Sequence, residues 1–168
     1  MTPKFSIRDA TVDDVPIILG FIKELSEYEK LPHEVTATEE LLRANLFTER
    51  KTAEVLLASE GDTDVGFALF FHNFSSFLGK PGIYLEDVFI RPEFRGRGYG
   101  KALMISVARI ARERNCGRFE LSVLDWNKPS IEFYHSLGAI AMDEWTVQRL
   151  SSSAIAVLAA QKSKVNDE

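Results

Sequence analysis

Tyr84–Lys101, YLEDVFIRPEFRGRGYGK, decides how this chain is read. An apolar strand bearing the adjacent acids Glu86 and Asp87 runs directly into an arginine- and glycine-rich turn, and the turn opens a helix. Gly96, Gly98 and Gly100 allow close backbone approach and positive φ, so successive N–H groups can converge on phosphate oxygens while the helix dipole adds favourable potential. The stretch therefore predicts a polyanion cradle beside a proton acceptor, with a phosphate-bearing cofactor as its natural ligand.

Spacing separates the competing phosphate motifs. The dinucleotide fingerprint G-x-G-x-x-G is not met by Gly96-Arg97-Gly98-Tyr99-Gly100, and Glu120 as a ribose acid cannot repair it. The Walker pattern fails where Arg95 stands for glycine and Ala102 for Ser or Thr. Arg95-x-x-Gly98-x-Gly100 instead resembles the acetyl-CoA pyrophosphate signature, R/Q-x-x-G-x-G/A, of the GNAT superfamily of N-acetyltransferases. The structural alternative is a strand-to-helix turn whose glycines serve packing alone.

Composition sets the frame. At 168 residues the chain is expected to be one domain over 1–168, long enough to bury roughly 70% of its unfolded surface. It carries 45% hydrophobic and 27% charged residues, without repeat or linker. A formal charge of −5 and pI near 5.3 argue against nucleic acid and suit a cationic small substrate. The single cysteine, Cys116, is read as a small core residue and fits a reducing compartment. Met1–Ala10 lacks a signal-peptide core, and the apolar run Ala154–Ala160 is too short to span a membrane. A cytoplasmic protein with no membrane partner is expected. His33, His72 and His135 lack metal-ligand spacing, so no metal is assigned.

Along the chain, Phe5 and Ile7 alternate as a strand, and Thr11 caps a helix carrying Val15, Ile18, Leu19, Ile22 and Leu25. Thr36 and Glu39 read as a capping box for a short helix to about Leu46. Ala53–Glu60 and Asp64–Asn73 predict a hairpin, and Ile83–Ile90 a central fourth strand. A helix after the glycine turn, a strand over Arg118–Val123 and a helix capped by Asn127 follow, then closing strands near Ala139–Met142 and Trp145–Leu150. Ser151–Glu168 adds a short helix and a polar tail. Trp126 and Trp145 are read as packing residues.

Whole-chain blocks sharpen the resemblance. IRDAT (Ile7–Thr11), IKELSEYE (Ile22–Glu29), YLEDVF (Tyr84–Phe89) and WNKPSIEFY (Trp126–Tyr134) together resemble the spermidine/spermine (diamine) and thialysine N-acetyltransferase subfamily. The resemblance implies an α/β (α+β) GNAT fold, its mixed, mostly antiparallel sheet of about seven strands splayed between the fourth and fifth and flanked by about four helices. It implies acetyl-CoA as cosubstrate, with its pantetheine along Val88, Phe89 and Ile90, and its pyrophosphate on Arg95, Gly96, Arg97, Gly98, Tyr99, Gly100 and Lys101. Asn127, Pro129, Ser130 and Tyr134 join the cofactor side, and a homodimer is implied.

Acyl transfer to an amine sets the remaining roles. A lysine-like ammonium, with pKa of about 10.4, must lose a proton before it has a lone pair. Glu86 is the candidate base, and the resemblance implies that it works through an ordered water; the alternative is a structural partner for an arginine. Period-two alternation sends Glu86 and Asp87 to opposite faces of a strand where a buried acid must be paired or functional. Tyr134 matches the family's general acid, or else is a core tyrosine. The Val88 N–H suits the developing oxyanion. Tyr28 and Glu29 match polyamine-contacting positions, and with Glu86 and Asp87 would form a cationic-substrate channel. Ser75 in place of an aspartate, Phe77 in place of a tryptophan and Ser136-Leu137 in place of an arginine pair depart from the polyamine pattern, so lysine-like or other small amines compete. Protein lysines or N-termini, and a noncatalytic acetyl-CoA-binding module, remain the alternative readings.

Overall fold

The computed structural model describes residues 4–161, which fall into two compact units meeting at Ser122/Val123. In the first, Phe5–Asp9 forms β1 and Val15–Tyr28 forms α1 after a 3₁₀ turn at Val12–Asp14. Thr11 starts that turn. Its N–H and hydroxyl donate to the Asp14 carboxylate at 2.7 and 2.9 Å, and Arg8 grips the same carboxylate at 2.7 Å. The Arg8 bond holds the Asp14 carboxyl well below the usual range. The next helix, α2 (Glu39–Leu46), is capped by Thr38 and not by Thr36: Thr38 Oγ1 accepts the Leu41 N–H at 3.3 Å. Thr36 lies too far upstream of the first helical turn to reach an unpaired N–H.

The strands β2 (Glu54–Glu60), β3 (Thr63–Ser75), β4 (Lys80–Ile90) and β5 (Phe119–Leu121) complete a sheet ordered β1-β2-β3-β4-β5. Every pairing is antiparallel except the parallel β4–β5 contact. One face is covered by α1 and α2, where Ile18, Phe21, Leu46, Val55, Leu57, Phe67 and Phe89 form a buried cluster. Each such side chain contributes about 1.5–3 kcal/mol on full burial. A second helix layer, α3 (Tyr99–Glu113), packs on β2, β3 and β4 and buries Leu103, Met104, Val107 and Ala111. Arg91 ties the end of β4 to α1. It donates to the Glu24 carboxylate at 2.7 and 2.9 Å and to the Asp64 carbonyl at 2.8 Å, while lying over the Phe21 ring.

The second unit contains α4 (Lys128–Ser136) and α5 (Ser152–Ala159). The strands expected near Ala139–Met142 and Trp145–Leu150 do not form, so among the described residues the sheet has five strands rather than about seven. Alternation yields a strand only where a neighbouring edge accepts its backbone groups. Here Ile140, Trp145 and Val147 leave 81%, 72% and 76% of their surface exposed. Trp126 is also substantially exposed, against the packing role expected for both tryptophans. The expected tail beyond Gln161 lies outside the described residues.

Close strand approach makes one glycine indispensable. A Cβ on Gly66 would lie 2.2 Å from the Phe89 carbonyl oxygen and 2.5 Å from Ile90 Cδ1. Gly66→Ala is expected to lose about 1–3 kcal/mol, read as a lower Tm by calorimetry; an unchanged Tm would mean that β3 and β4 separate there at no cost.

Candidate active site

The site begins with an extra residue in β4. Leu69 faces Asp87 and Phe70 faces Leu85, which leaves Glu86 without an opposite number: a β-bulge. Beyond it, the Arg91 N–H donates to the Val65 carbonyl at 2.9 Å. Antiparallel alternation from that bond turns the main-chain groups of Phe89 and Asp87 toward β3 and those of Val88 and Ile90 away from it. Pairing with β5 stops at Leu85. The main chain of Val88 and Ile90 therefore lies on a strand edge with no ladder partner among the described residues. The Ile90 carbonyl accepts Arg95 Nε at 2.8 Å. Of the expected trio, Val88 and Ile90 present this edge, whereas Phe89 spends its backbone on β3 and buries its ring in the core.

The bulge also places the acids. Phe89 and Leu69 belong to the α1-face cluster, so Asp87, two residues from Phe89 and opposite Leu69, faces the same way. Tyr84 pairs with Phe71, two residues from Leu69, and their rings pack at 5.2 Å. Counting from Tyr84 puts Glu86 on this face too. The expectation of opposite faces fails because an inserted residue cancels one step of the alternation. The acids differ in environment: Glu86 is exposed and Asp87 is half-buried. Desolvation, with added repulsion from Glu86 and Glu29, pushes the Asp87 carboxyl up to about 7. Glu29, which caps α1, is itself raised by burial.

The glycine turn follows a 3₁₀ turn at Pro92–Phe94. Gly96 and Gly98 have φ of 76° and 84°, and Gly98 is the N-cap of α3. Gly100 lies inside the helix, so the positive φ expected of it is not needed. A Cβ at Gly96 or Gly98 would meet no atom within 4 Å, so the loop is open to a ligand. Its side chains turn elsewhere. Arg97 Nη1 donates to Glu60 at 2.9 Å, the Tyr99 hydroxyl donates to the same carboxylate, and the Tyr99 ring stacks on Phe5 at 4.0 Å. Arg95 lies over the Tyr28 ring at 4.7 Å, joining the loop to the end of α1. Lys101 is exposed on the first turn of α3.

Within the first unit the structure thus gathers Tyr28, Glu29, Glu86, Asp87, the Val88/Ile90 edge and the loop. Ser75 instead serves the β3–β4 turn, where its Oγ accepts the Leu78 N–H at 3.2 Å, and Phe77 at that turn is 94% exposed. In the second unit, Asn127 is buried and caps α4 by accepting the Ser130 N–H at 3.4 Å, with Pro129 in the first turn. Tyr134 lies on α4 with its ring 5.4 Å from that of Phe133. Sequence reasoning missed Glu60. The acid sits in a hairpin remote in sequence, and only the unusual Arg97-x-Tyr99 pairing hinted at an anionic partner. Cys116 is half-buried, its Sγ 3.9 Å from His72 Nδ1. Among the described residues no three His, Cys, Asp or Glu side chains gather to hold a metal, and no helix is long and apolar enough to cross a membrane.

The bulged strand with an open edge leads into a glycine-capped helix N-terminus, and the chain belongs to the acetyltransferase (GNAT) family, whose model matches residues 21–139. It is an N-acetyltransferase. It is 39% identical to the thialysine N-epsilon-acetyltransferase of Sus scrofa, over 92% of this chain and 97% of that protein. It is 34% identical to the L-ornithine N5-acetyltransferase of Arabidopsis thaliana, over 89% and 85%. Among solved structures, an integron cassette protein from the mobile metagenome of V. cholerae superposes with a TM-score of 0.78 at 27% identity, covering 94% of this chain and 98% of that one.

The raised Asp87 carboxyl has a thermodynamic signature. Folded Asp87 keeps its proton to about 7, whereas an unfolded aspartate releases it near about 3.9. Between those values the folded state binds more protons, so stability falls as pH rises through the window. Asp87→Asn removes that slope. Its Tm advantage over the parent protein is expected to grow from about pH 5 to about pH 8, on the order of a few degrees; a constant difference would mean that the carboxylate is compensated by a partner.

Proposed function

We propose that this enzyme transfers the acetyl group of acetyl-CoA directly to a primary amine of a small cationic substrate: a thialysine-, ornithine- or lysine-like amino acid, a diamine or a polyamine. The observation that carries the reading is the convergence of Glu29, Glu86 and Asp87 beside the open Val88/Ile90 edge. Three carboxylates without a paired cation among the described residues favour an ammonium. The named activities of the relatives on thialysine and ornithine support an amino acid with a terminal amine. Ser75 supports a departure from strict polyamine use, being committed to a turn.

The residues present fit the cosubstrate. Val88 and Ile90 offer amide groups to the pantetheine chain, and the main-chain N–H groups from Gly96 to Lys101 suit a pyrophosphate at the start of α3. Arg97 and Tyr99 contribute their backbone, since their side chains are engaged by Glu60. Asn127, Pro129 and Ser130 are assigned to the cofactor side from the resemblance. In the reaction, the acid pair takes the ammonium proton, with Glu86 acting through water. The Val88 N–H receives the developing oxyanion, and Tyr134 gives a proton to the departing thiolate. From the resemblance, the whole chain is assigned to one acetyltransferase domain of a cytoplasmic homodimer; the exposed Ile140, Trp145, Val147 and Leu150 support the self-association alone.

Initial rates with acetyl-CoA test the reading. Ornithine, thialysine and spermidine are expected to exceed a neutral aryl-alkyl amine by about fivefold in kcat/KM per well-placed charge, with the advantage shrinking as salt rises. A neutral amine that wins regardless of salt defeats the cationic-substrate assignment. Tyr134→Phe is expected to bind acetyl-CoA normally and to lose about 10²-fold in kcat; unchanged turnover would leave Tyr134 a packing residue.

A further inference from the structure

We propose that Asp87 is the group that receives the proton from the substrate ammonium, and that Glu86 delivers that proton to solvent. The inference deepens the amine-acetyltransferase reading and rests on it. Both carboxylates lie on the α1 face because of the bulge, yet they are not equivalent. Glu86 is the inserted residue and is exposed, whereas Asp87 is held in the β3 ladder opposite Leu69 and is half-buried. A fixed backbone and a partly desolvated carboxylate make a better aimed and more basic acceptor than an exposed side chain.

The surroundings of Asp87 support this division. The charged groups that bear on it are Glu86 beside it on β4 and Glu29 from the end of α1. The nearby Arg95 stacks on Tyr28 and Phe89 and donates to the Ile90 carbonyl. No hydrogen bond or ion pair engages the Asp87 carboxylate among the described residues. Its affinity for a proton lies near neutrality, where a general base is most effective at physiological pH.

The ammonium gives one proton to the Asp87 carboxylate and becomes a neutral amine. Its lone pair forms the C–N bond at the thioester carbonyl, and the C–S bond breaks with its electron pair on sulfur. The second proton leaves the nitrogen as the amide forms, and one proton is taken up by the thiolate, so the products are the amide and the free thiol. Protonated Asp87 returns to the carboxylate by releasing its proton through water at Glu86, so each turnover liberates one proton.

The test is the pH dependence of kcat/KM for ornithine at saturating acetyl-CoA, from about pH 6 to about pH 9, in the parent enzyme and in Asp87→Asn, Asp87→Glu and Glu86→Gln. Calorimetric binding of acetyl-CoA checks that each variant is folded. Asp87→Asn is expected to lose about 10²-fold or more and to abolish the ascending limb near neutrality, Asp87→Glu to restore part of both, and Glu86→Gln to lose less than about tenfold with the limb intact. If the limb survives in Asp87→Asn and disappears in Glu86→Gln, the assignment is overturned while the amine reading stands. Parent enzyme that binds acetyl-CoA but acetylates none of ornithine, thialysine or spermidine overturns the amine reading, and this inference with it.

Discussion

A strand cannot accept an extra residue without choosing where its alternation breaks, and in this protein β4 breaks at Glu86. Upstream, β4 is held between β3 and β5; downstream, it is held by β3 alone. The break therefore does several things at one point. It aligns adjacent acids on one face, ends the parallel pairing and leaves the amide groups of Val88 and Ile90 facing outward. An uninterrupted strand would have sent the acids apart, one toward the α1 layer and the other toward α3.

The strained electrostatics of the acid cluster are sustained by the rest of the fold. Arg91 is locked to Glu24 and to the Asp64 carbonyl, which anchors the end of β4 beneath α1. The cluster of Phe21, Phe67 and Phe89 then fixes the face from which Asp87 projects. Without that packing, Asp87 could rotate toward water and recover its ordinary proton affinity. Folding stability and basicity are thus opposed at this residue, a common arrangement at sites that do chemistry.

Local signals in the sequence carried the reading far. The glycines at 96 and 98, the Asn127 cap and the Gly61-Asp62 hairpin each follow from the chemistry of a few neighbouring residues, and each has its expected form. Glu29, Glu86 and Asp87 were legible as an acidic group, but their relative placement was not. A bulge depends on how two strands register, and no residue in YLEDVF announces it. The failed closing strands have the same origin, since alternating Ile140, Met142, Trp145 and Val147 satisfy a strand pattern without specifying an edge to pair with. Thr38 displaced Thr36 as a cap for a narrower reason: the two threonines stand close together in sequence, and only Thr38 directly precedes the first helical residue, Glu39.

Glu60 accepts from both Arg97 and Tyr99, and Tyr99 also rests on Phe5. The side chains of Arg97 and Tyr99 are therefore held by β1 and the end of β2. Positions 5, 60, 97 and 99 therefore form one coupled unit, whose substitutions are not expected to act independently. Loss of Glu60 alone would strand a guanidinium and a phenol beside the glycine loop, whereas a joint replacement by apolar residues would leave the main chain of that loop intact.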